Sequence, residues 1–177
     1  MILIGIDPGQ SGGIAIIQNN VVSICKMPDT EHDISAIFRT LAHSSGIKAL
    51  IEKVHAMPGQ GVTSMFTFGR NYGFLRGCLS SLGIPFDEIN PHKWQQTLGC
   101  LTKGDKNVSK AKAQQLFPWL KITHAVADAV LICEYLRRKE GLPSPLPPGG
   151  TNNPDNAVHG VGGNVLSPLE SSTLREY

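Results

Sequence analysis

Three acidic residues occupy positions where the surrounding pattern calls for apolar side chains, and together they could do metal chemistry. Asp7 ends the apolar run LIGID, immediately before Pro8 and Gly9. Glu52 interrupts KALIEKV, flanked on its own face by Leu50 and Val54. Asp128 lies in HAVADAVLICEYL, which is otherwise apolar at Ala125, Val126, Ala129, Val130, Leu131 and Ile132. A lone buried carboxylate costs several kcal/mol unless it is paired or bound to a cation. Taken singly, each has a plain structural reading: Asp7 as a turn residue, Glu52 as a partner of Lys53 or Lys93, Asp128 on a solvated stripe. As a set they offer the clustered oxygen ligands that hard cations such as Mg²⁺ require. Two such ions roughly 4 Å apart can align a water and a leaving oxygen for in-line attack on a phosphodiester. His124 precedes Asp128 by four residues, one turn away on the same helical face. It is either a solvent-facing residue at a helix start or a fourth ligand or general base near the metals.

The elements that must position these groups follow from periodicity. LIGID (3–7), GGIAIIQ (12–18) and VVSICKM (21–27) read as strands, the last two joined at Asn19-Asn20, a two-residue hairpin turn. A helix is expected over 33–45 with Asp33 at its start, then a strand over 48–54. The loop HAMPGQG (55–61) leads to a long helix over about 63–82, stopped by Gly83 and Pro85, and PFDEIN (85–90) reads as a fifth strand. Helices over 92–99, 107–116 and 122–139 complete the order βββαβαβααα. A hairpin meander followed by parallel crossovers implies an α/β mixed sheet. Adjacent parallel strands would then set Asp7 beside Glu52, with a helix on the sheet carrying Asp128 over them.

From Gly141 the periodicity dissolves, and six of the twelve prolines fall between Pro143 and Pro168. The expected division is a folded domain over 1–140 and a flexible, disordered Pro/Gly-rich tail over 141–177. The chain of 177 residues is long enough to bury a core without disulfides. Its four cysteines form no CxxC pair, so reduced thiols are expected and a zinc site is not. No apolar run reaches the roughly 18 residues of a membrane span. The strand pattern starts at once and leaves no room for a targeting peptide, so a cytoplasmic location is expected. Net charge is +2, but residues 142–177 carry −2, leaving +4 on the remainder. That is too mild to imply nucleic-acid binding by itself, so placement decides.

IGIDPG, LIEKV 45 residues further on, and the late H-x-x-x-D-A-x-L resemble the RuvC family of Holliday-junction resolvases, within the RNase H-like superfamily. The segments MPGQGVTSMFTFGRNYGFLRGCLSSLGIPFDEINPHKWQQTLG and GDKNVSKAKAQQLFP are similar to its phage and organelle branches. The resemblance implies an RNase H-like five-stranded sheet of order 3-2-1-4-5 flanked by helices. It implies a homodimer that nicks two strands of a four-way DNA junction with Mg²⁺ or Mn²⁺, two ions per site, leaving 5′-phosphate and 3′-hydroxyl ends. Asp7, Glu52 and Asp128 match the family's catalytic, metal-binding acids. Many members carry a further acid three residues before the last one; here that position is Ala125, and His124 is the available substitute.

Residues for DNA contact follow the acids in order. Lys103, Lys106, Lys110 and Lys112 cluster within ten residues, Arg70 and Arg76 lie on the 63–82 helix, and His92 and Lys93 open the next. Such groups hold phosphates without reading sequence, although a solvated helix face would look the same. Met65, Phe66 and Phe68 are either core or dimer contacts, or aromatics that stack on an unpaired base. Gly59, Gln60 and Gly61 form a loop beside Glu52 suited to approaching a backbone. Gly69, Gly73 and Gly77 would allow close helix packing across a dimer axis. Trp94 and Trp119 read as core anchors.

Three other readings compete. I-G-I-D-x-G also opens the phosphate loop of actin/sugar-kinase ATPases, but those need two such domains and a second glycine-rich loop. A nuclease for other branched DNA or RNA–DNA hybrids would share fold and metal chemistry. A catalytically dead DNA-binding module would have no use for three acids.

Overall fold

The computed structural model describes residues 1–55, 61–102 and 104–147. The first three strands, β1 (Ile2–Asp7), β2 (Gly13–Gln18) and β3 (Val21–Lys26), form an antiparallel meander. The turn between β2 and β3 places Asn19 and Asn20 at φ 51° and 63°, a conformation that asparagine tolerates. Next comes α1 (Glu31–Leu41), then β4 (Ile47–Glu52), which pairs in parallel with β1. After α2 (Val62–Ser81), the short β5 (Phe86–Ile89) pairs in parallel with β4. Three helices follow: α3 (Pro91–Leu98), α4 (Lys106–Leu116) and α5 (His124–Lys139). The sheet is mixed, as the element pattern led us to expect, and its order β3-β2-β1-β4-β5 is the one the family resemblance implied.

Alternation along the strands divides the core into two layers. Ile2, Ile4, Ile6, Ala49 and Ile51 meet α1 and α2 through Ile34, Phe38, Leu75 and Leu79. Leu3, Leu50, Ala15 and Ile17 face the other way, onto Trp94, Phe117 and the buried side of α5. Strand period therefore puts Asp7, in phase with Leu3, and Glu52, in phase with Leu50, on the α5 side. Helix α5 lies against β1 because Gly5 has no side chain. A Cβ there would stand 2.4 Å from both the Ala129 carbonyl oxygen and the Cys133 backbone nitrogen.

Several boundaries differ from expectation: β4 ends at Glu52 rather than 54, and α5 starts at His124 rather than 122. Helix α1 starts before Asp33, because Thr30 caps it. The Thr30 Oγ1 accepts from the Asp33 N–H and donates to the Asp33 carboxylate, a reciprocal cap. It ends at Leu41 rather than 45, in a turn closed by the Ser44 N–H on the Leu41 carbonyl. Past α5, ordered packing runs beyond Gly141: the Leu146 N–H donates to the Asn20 carbonyl at 3.0 Å, and Arg137 donates to the Leu142 carbonyl. Glu134 and Arg137 are buried together beneath this segment. The rest of the expected tail, 148–177, lies outside the described residues. No described helix is long and apolar enough to cross a membrane.

Candidate active site

Asp7 and Glu52 end β1 and β4, one position beyond the parallel pair Ile6–Ile51. Asp128 sits in the second turn of α5, which crosses the same face of the sheet. The turn after β1 is shaped around Asp7. The Gly9 N–H approaches its Oδ1 at 3.4 Å, and a Cβ on Gly12 would stand 2.7 Å from its Cγ. Glycine at 12 thus leaves room for the carboxylate. Asn71 of α2 donates its Nδ2–H to the Pro8 carbonyl and ties the long helix to the same turn.

The three carboxyls sense one another. Burial is the main cause that pushes the Asp7 pKa up to about 6, and Asp128 adds to it. Glu52 is pushed up to about 8, first by burial, then by Asp7 and Asp128, against a hydrogen bond from Trp94 that favours its charge. Burial also raises Asp128, opposed by the Ser109 hydroxyl, Lys106 and His124. Ser109 lies near enough to favour the charged form, yet no hydrogen bond of good geometry joins the two. Ser109 Oγ and Asp128 Oδ1 are both buried without a partner. Such groups carry a desolvation cost that a cation or water would relieve.

Among the described residues, no three His, Cys, Asp or Glu side chains close into a ready-made cage. Asp7 and Glu52 at the strand ends and Asp128 on α5 nevertheless lie on the same side of the sheet. The donor set still fits a hard divalent cation: three carboxylates on one face, one of them with an oxygen that has no partner.

The remaining candidates divide. His124 is the first residue of α5 and exposed, with its charge close enough to favour ionised Asp128. Lys106, exposed at the start of α4 beside the Asp105 cap, favours ionised Asp7 and Asp128. Lys110 and Lys112 are half-buried on the same helix, and Lys112 donates to Gln115. Lys93 lines a shallow cleft of about 200 Å³ with Asp87, Glu88 and Tyr135 at the β5 edge; none of the three acids borders it. Arg70 makes a loose 3.9 Å pair with Glu31, while Arg76 pairs with Glu88 at 2.9 Å and stacks on Tyr72. The two phenylalanines part: Phe68 is half-buried, its ring edge facing Gly9 of the Asp7 turn, whereas Phe66 is 73% exposed. Gln60 and Lys103, with Gly59, lie outside the described residues.

Three participants had no obvious signal. Trp94 is a core anchor, as expected, but its indole N–H also donates to Glu52 Oε1 at 2.9 Å. That a buried indole needs an acceptor is the one clue the sequence held. Ser109 shares the inner face of α4 with Ala113, a polar residue at an apolar position. Asn71 carries no comparable mark.

No family model matches the chain, and no curated protein matches it in sequence. Solved structures do match in three dimensions. RuvC of Thermus thermophilus superposes with a TM-score of 0.55 at 17% identity, over 82% of this chain and 100% of RuvC. The same RuvC in complex with a Holliday junction substrate gives 0.55 at 16% identity, over 82% and 99%. The chain has the RuvC fold. The unmatched part of the chain is of about the size of the segment after Pro147. In this chain the ends of β1 and β4 and the early part of α5 bring Asp7, Glu52 and Asp128 to the same side of the sheet.

Proposed function

We propose that this chain is a divalent-cation-dependent endonuclease that resolves four-way DNA junctions as a homodimer, in the cytoplasm of a bacterial or phage-infected cell. The observation that carries the reading is the meeting of three half-buried carboxyls on a RuvC fold, two of them raised in pKa by burial and by their neighbours and one with an unpartnered oxygen. Asp7, Glu52 and Asp128 would hold Mg²⁺ or Mn²⁺, two ions per site, with His124 as the additional ligand. When bound there, such ions would supply an activated water and charge neutralisation at the phosphodiester, for a cleavage that would leave 5′-phosphate and 3′-hydroxyl ends.

The chain's own groups supply the rest. The sheet fixes the Asp7 and Glu52 backbones in register, so the carboxylates need little reorganisation. Lys106 brings positive charge beside the acids, and Lys93, Lys110, Lys112 and Arg70, with Gln60 and Lys103, would hold phosphates around them. Phe68 and Phe66 would stack on bases opened at the crossover. For the dimer, α2 offers an exposed stripe of Val62 and Phe66 followed by Gly69, Gly73 and Gly77, where an added Cβ would meet nothing within 4 Å.

The test incubates the chain with a four-way junction, a matched duplex, a flap and an RNA–DNA hybrid, in Mg²⁺ or EDTA. Junction-selective, metal-dependent cutting that Asp7→Asn abolishes without loss of junction binding is the expected result. Equal cutting of duplex and junction would sink the resolvase reading, and cutting in EDTA would sink the mechanism. Preference for the flap or hybrid would favour a related nuclease with the same metal chemistry.

A further inference from the structure

One oxygen of Glu52 is already engaged from within the core. The Trp94 indole N–H donates to Glu52 Oε1 at 2.9 Å. Trp94 is 0% exposed, among the largest fully buried side chains, and packs with Leu50, Ile89 and Leu98. Its backbone is fixed as firmly. Ile89 of β5 pairs with Glu52 itself, and the Lys53 N–H donates to the Ile89 carbonyl at 2.7 Å. Asn90 then caps α3 by accepting from the His92 N–H at 2.9 Å, with Pro91 in the first turn. From the strand residue beside Glu52, the chain thus turns directly into the helix that carries Trp94, and the indole returns to the same carboxylate. A hydrogen bond between such rigid ends leaves Glu52 few orientations, and it leaves Oε2 to another partner.

We propose that Trp94 is a positioning residue for the candidate metal site, its indole N–H holding Glu52 Oε1 so that the carboxylate meets a divalent cation already oriented. This rests on the nuclease reading above and adds to it a group that acts through Glu52 without touching substrate. Partners of this kind, one shell out from the metal, fix ligand orientation, and their loss typically costs about 10- to 100-fold in metal affinity or activity. A tryptophan suits the task because it is a donor only. It holds one carboxylate oxygen while its ring fills the core, and it brings no charge that would compete with the cation.

The test uses the full chain with its tryptophans labelled with ¹⁵N. The two indole N–H resonances, from Trp94 and Trp119, are assigned with Trp119→Phe. Titration with Mg²⁺ alone should move the Trp94 indole resonance and leave that of Trp119, whose ring packs edge-on against Phe117, unchanged. In parallel, Trp94→Phe keeps most of the ring and removes the donor. It should raise the Mg²⁺ concentration for half-maximal junction cleavage about 10- to 100-fold, with most of kcat recovered at saturating Mg²⁺. A purely structural role would lower the amount of folded protein without moving that concentration. An unmoved Trp94 resonance in a chain that cleaves junctions normally, or an unchanged Mg²⁺ dependence in a folded Trp94→Phe, overturns the proposal. Should Trp94→Phe not fold, the resonance of the wild-type chain decides. A chain that cleaves no junction with any divalent cation overturns the nuclease reading, which is a separate outcome.

Discussion

Asp7 and Glu52 stand side by side at the ends of adjacent parallel strands, one step past the Ile6–Ile51 pair, on the face covered by α5. Two carboxylates in that relationship make the charged site a cost to the metal-free fold. The Asp7 pKa rises from 3.8 to about 6 and that of Glu52 from 4.5 to about 8. Both groups bind protons more tightly in the folded chain than in the unfolded one. Their contribution to stability is therefore fully present below about pH 4 and is lost as pH rises through 6 and 8. Each carboxyl gives up about 1.4 kcal/mol for every pH unit between its unfolded and its folded pKa. In EDTA, stability relative to Asp7→Asn/Glu52→Gln should fall between pH 5 and pH 8. Mg²⁺ should restore it at pH 8 and do little at pH 5. Thermal melts of both chains check this, and a pH-independent difference between them would refute it.

The strands were legible as short apolar runs bounded by turn residues with a local reason, such as Asn19-Asn20, while their order in the sheet came from the family resemblance. The three acids were legible as polar residues at the ends of apolar strands, for Asp7 and Glu52, and within an apolar helix, for Asp128. What the sequence hid depends on contacts between distant positions. Trp94 meets Glu52 across 42 residues and Asn71 meets Pro8 across 63, and no periodicity encodes either. The start of α1 differs from expectation for a local reason: Asp33 is a residue type suited to capping, yet here it is the third-position partner of Thr30.

Gly5→Ala tests whether the approach of α5 to β1 sets the site. The added Cβ would meet backbone atoms of Ala129 and Cys133 at 2.4 Å, which no rotamer change relieves. The helix must lift, costing about 3 kcal/mol and lowering the melting temperature on the order of 10 °C. Cleavage at a temperature where the variant is folded should also fall, because Asp128 moves with α5. A variant with wild-type melting and cleavage would remove Gly5 from this role.

Lys106 and Lys110 sit one turn apart on α4 but face different surroundings. Lys106 lies close enough to favour the ionised forms of Asp7 and Asp128. Lys106→Gln should lower single-turnover cleavage of bound junction, whereas Lys110→Gln should weaken binding and reduce its salt dependence with little effect on the bound rate. Identical behaviour of the two variants would show that both act only on phosphates.

His124 opens α5 one turn before Asp128 and is exposed. As a ligand or base, it should lose at least about 10-fold in cleavage on conversion to alanine, with a changed profile between pH 6 and pH 9. An unchanged rate across that range would return it to a solvent-facing helix start and leave the three carboxylates as the whole ligand set.

The segment after α5 bears on where the folded domain stops. Burial works against the Glu134 charge, yet Arg137 and Arg138 outweigh it and hold the carboxyl below its usual range. Arg137 donates from Nε and Nη2 to Glu134 at 2.7 and 2.8 Å and gives its remaining Nη1 to the Leu142 carbonyl. Pro145 is buried, and Leu146 is tied to the β2–β3 turn through the Asn20 carbonyl. A chain ending at Gly141 would strip a buried guanidinium of an acceptor and uncover the sheet end that Leu142 helps to cover. Compared with a chain ending at Pro147, it should be less stable by about 3 kcal/mol. Urea unfolding of the two truncations measures that difference directly, and coincident midpoints would place the boundary of the fold at the end of α5.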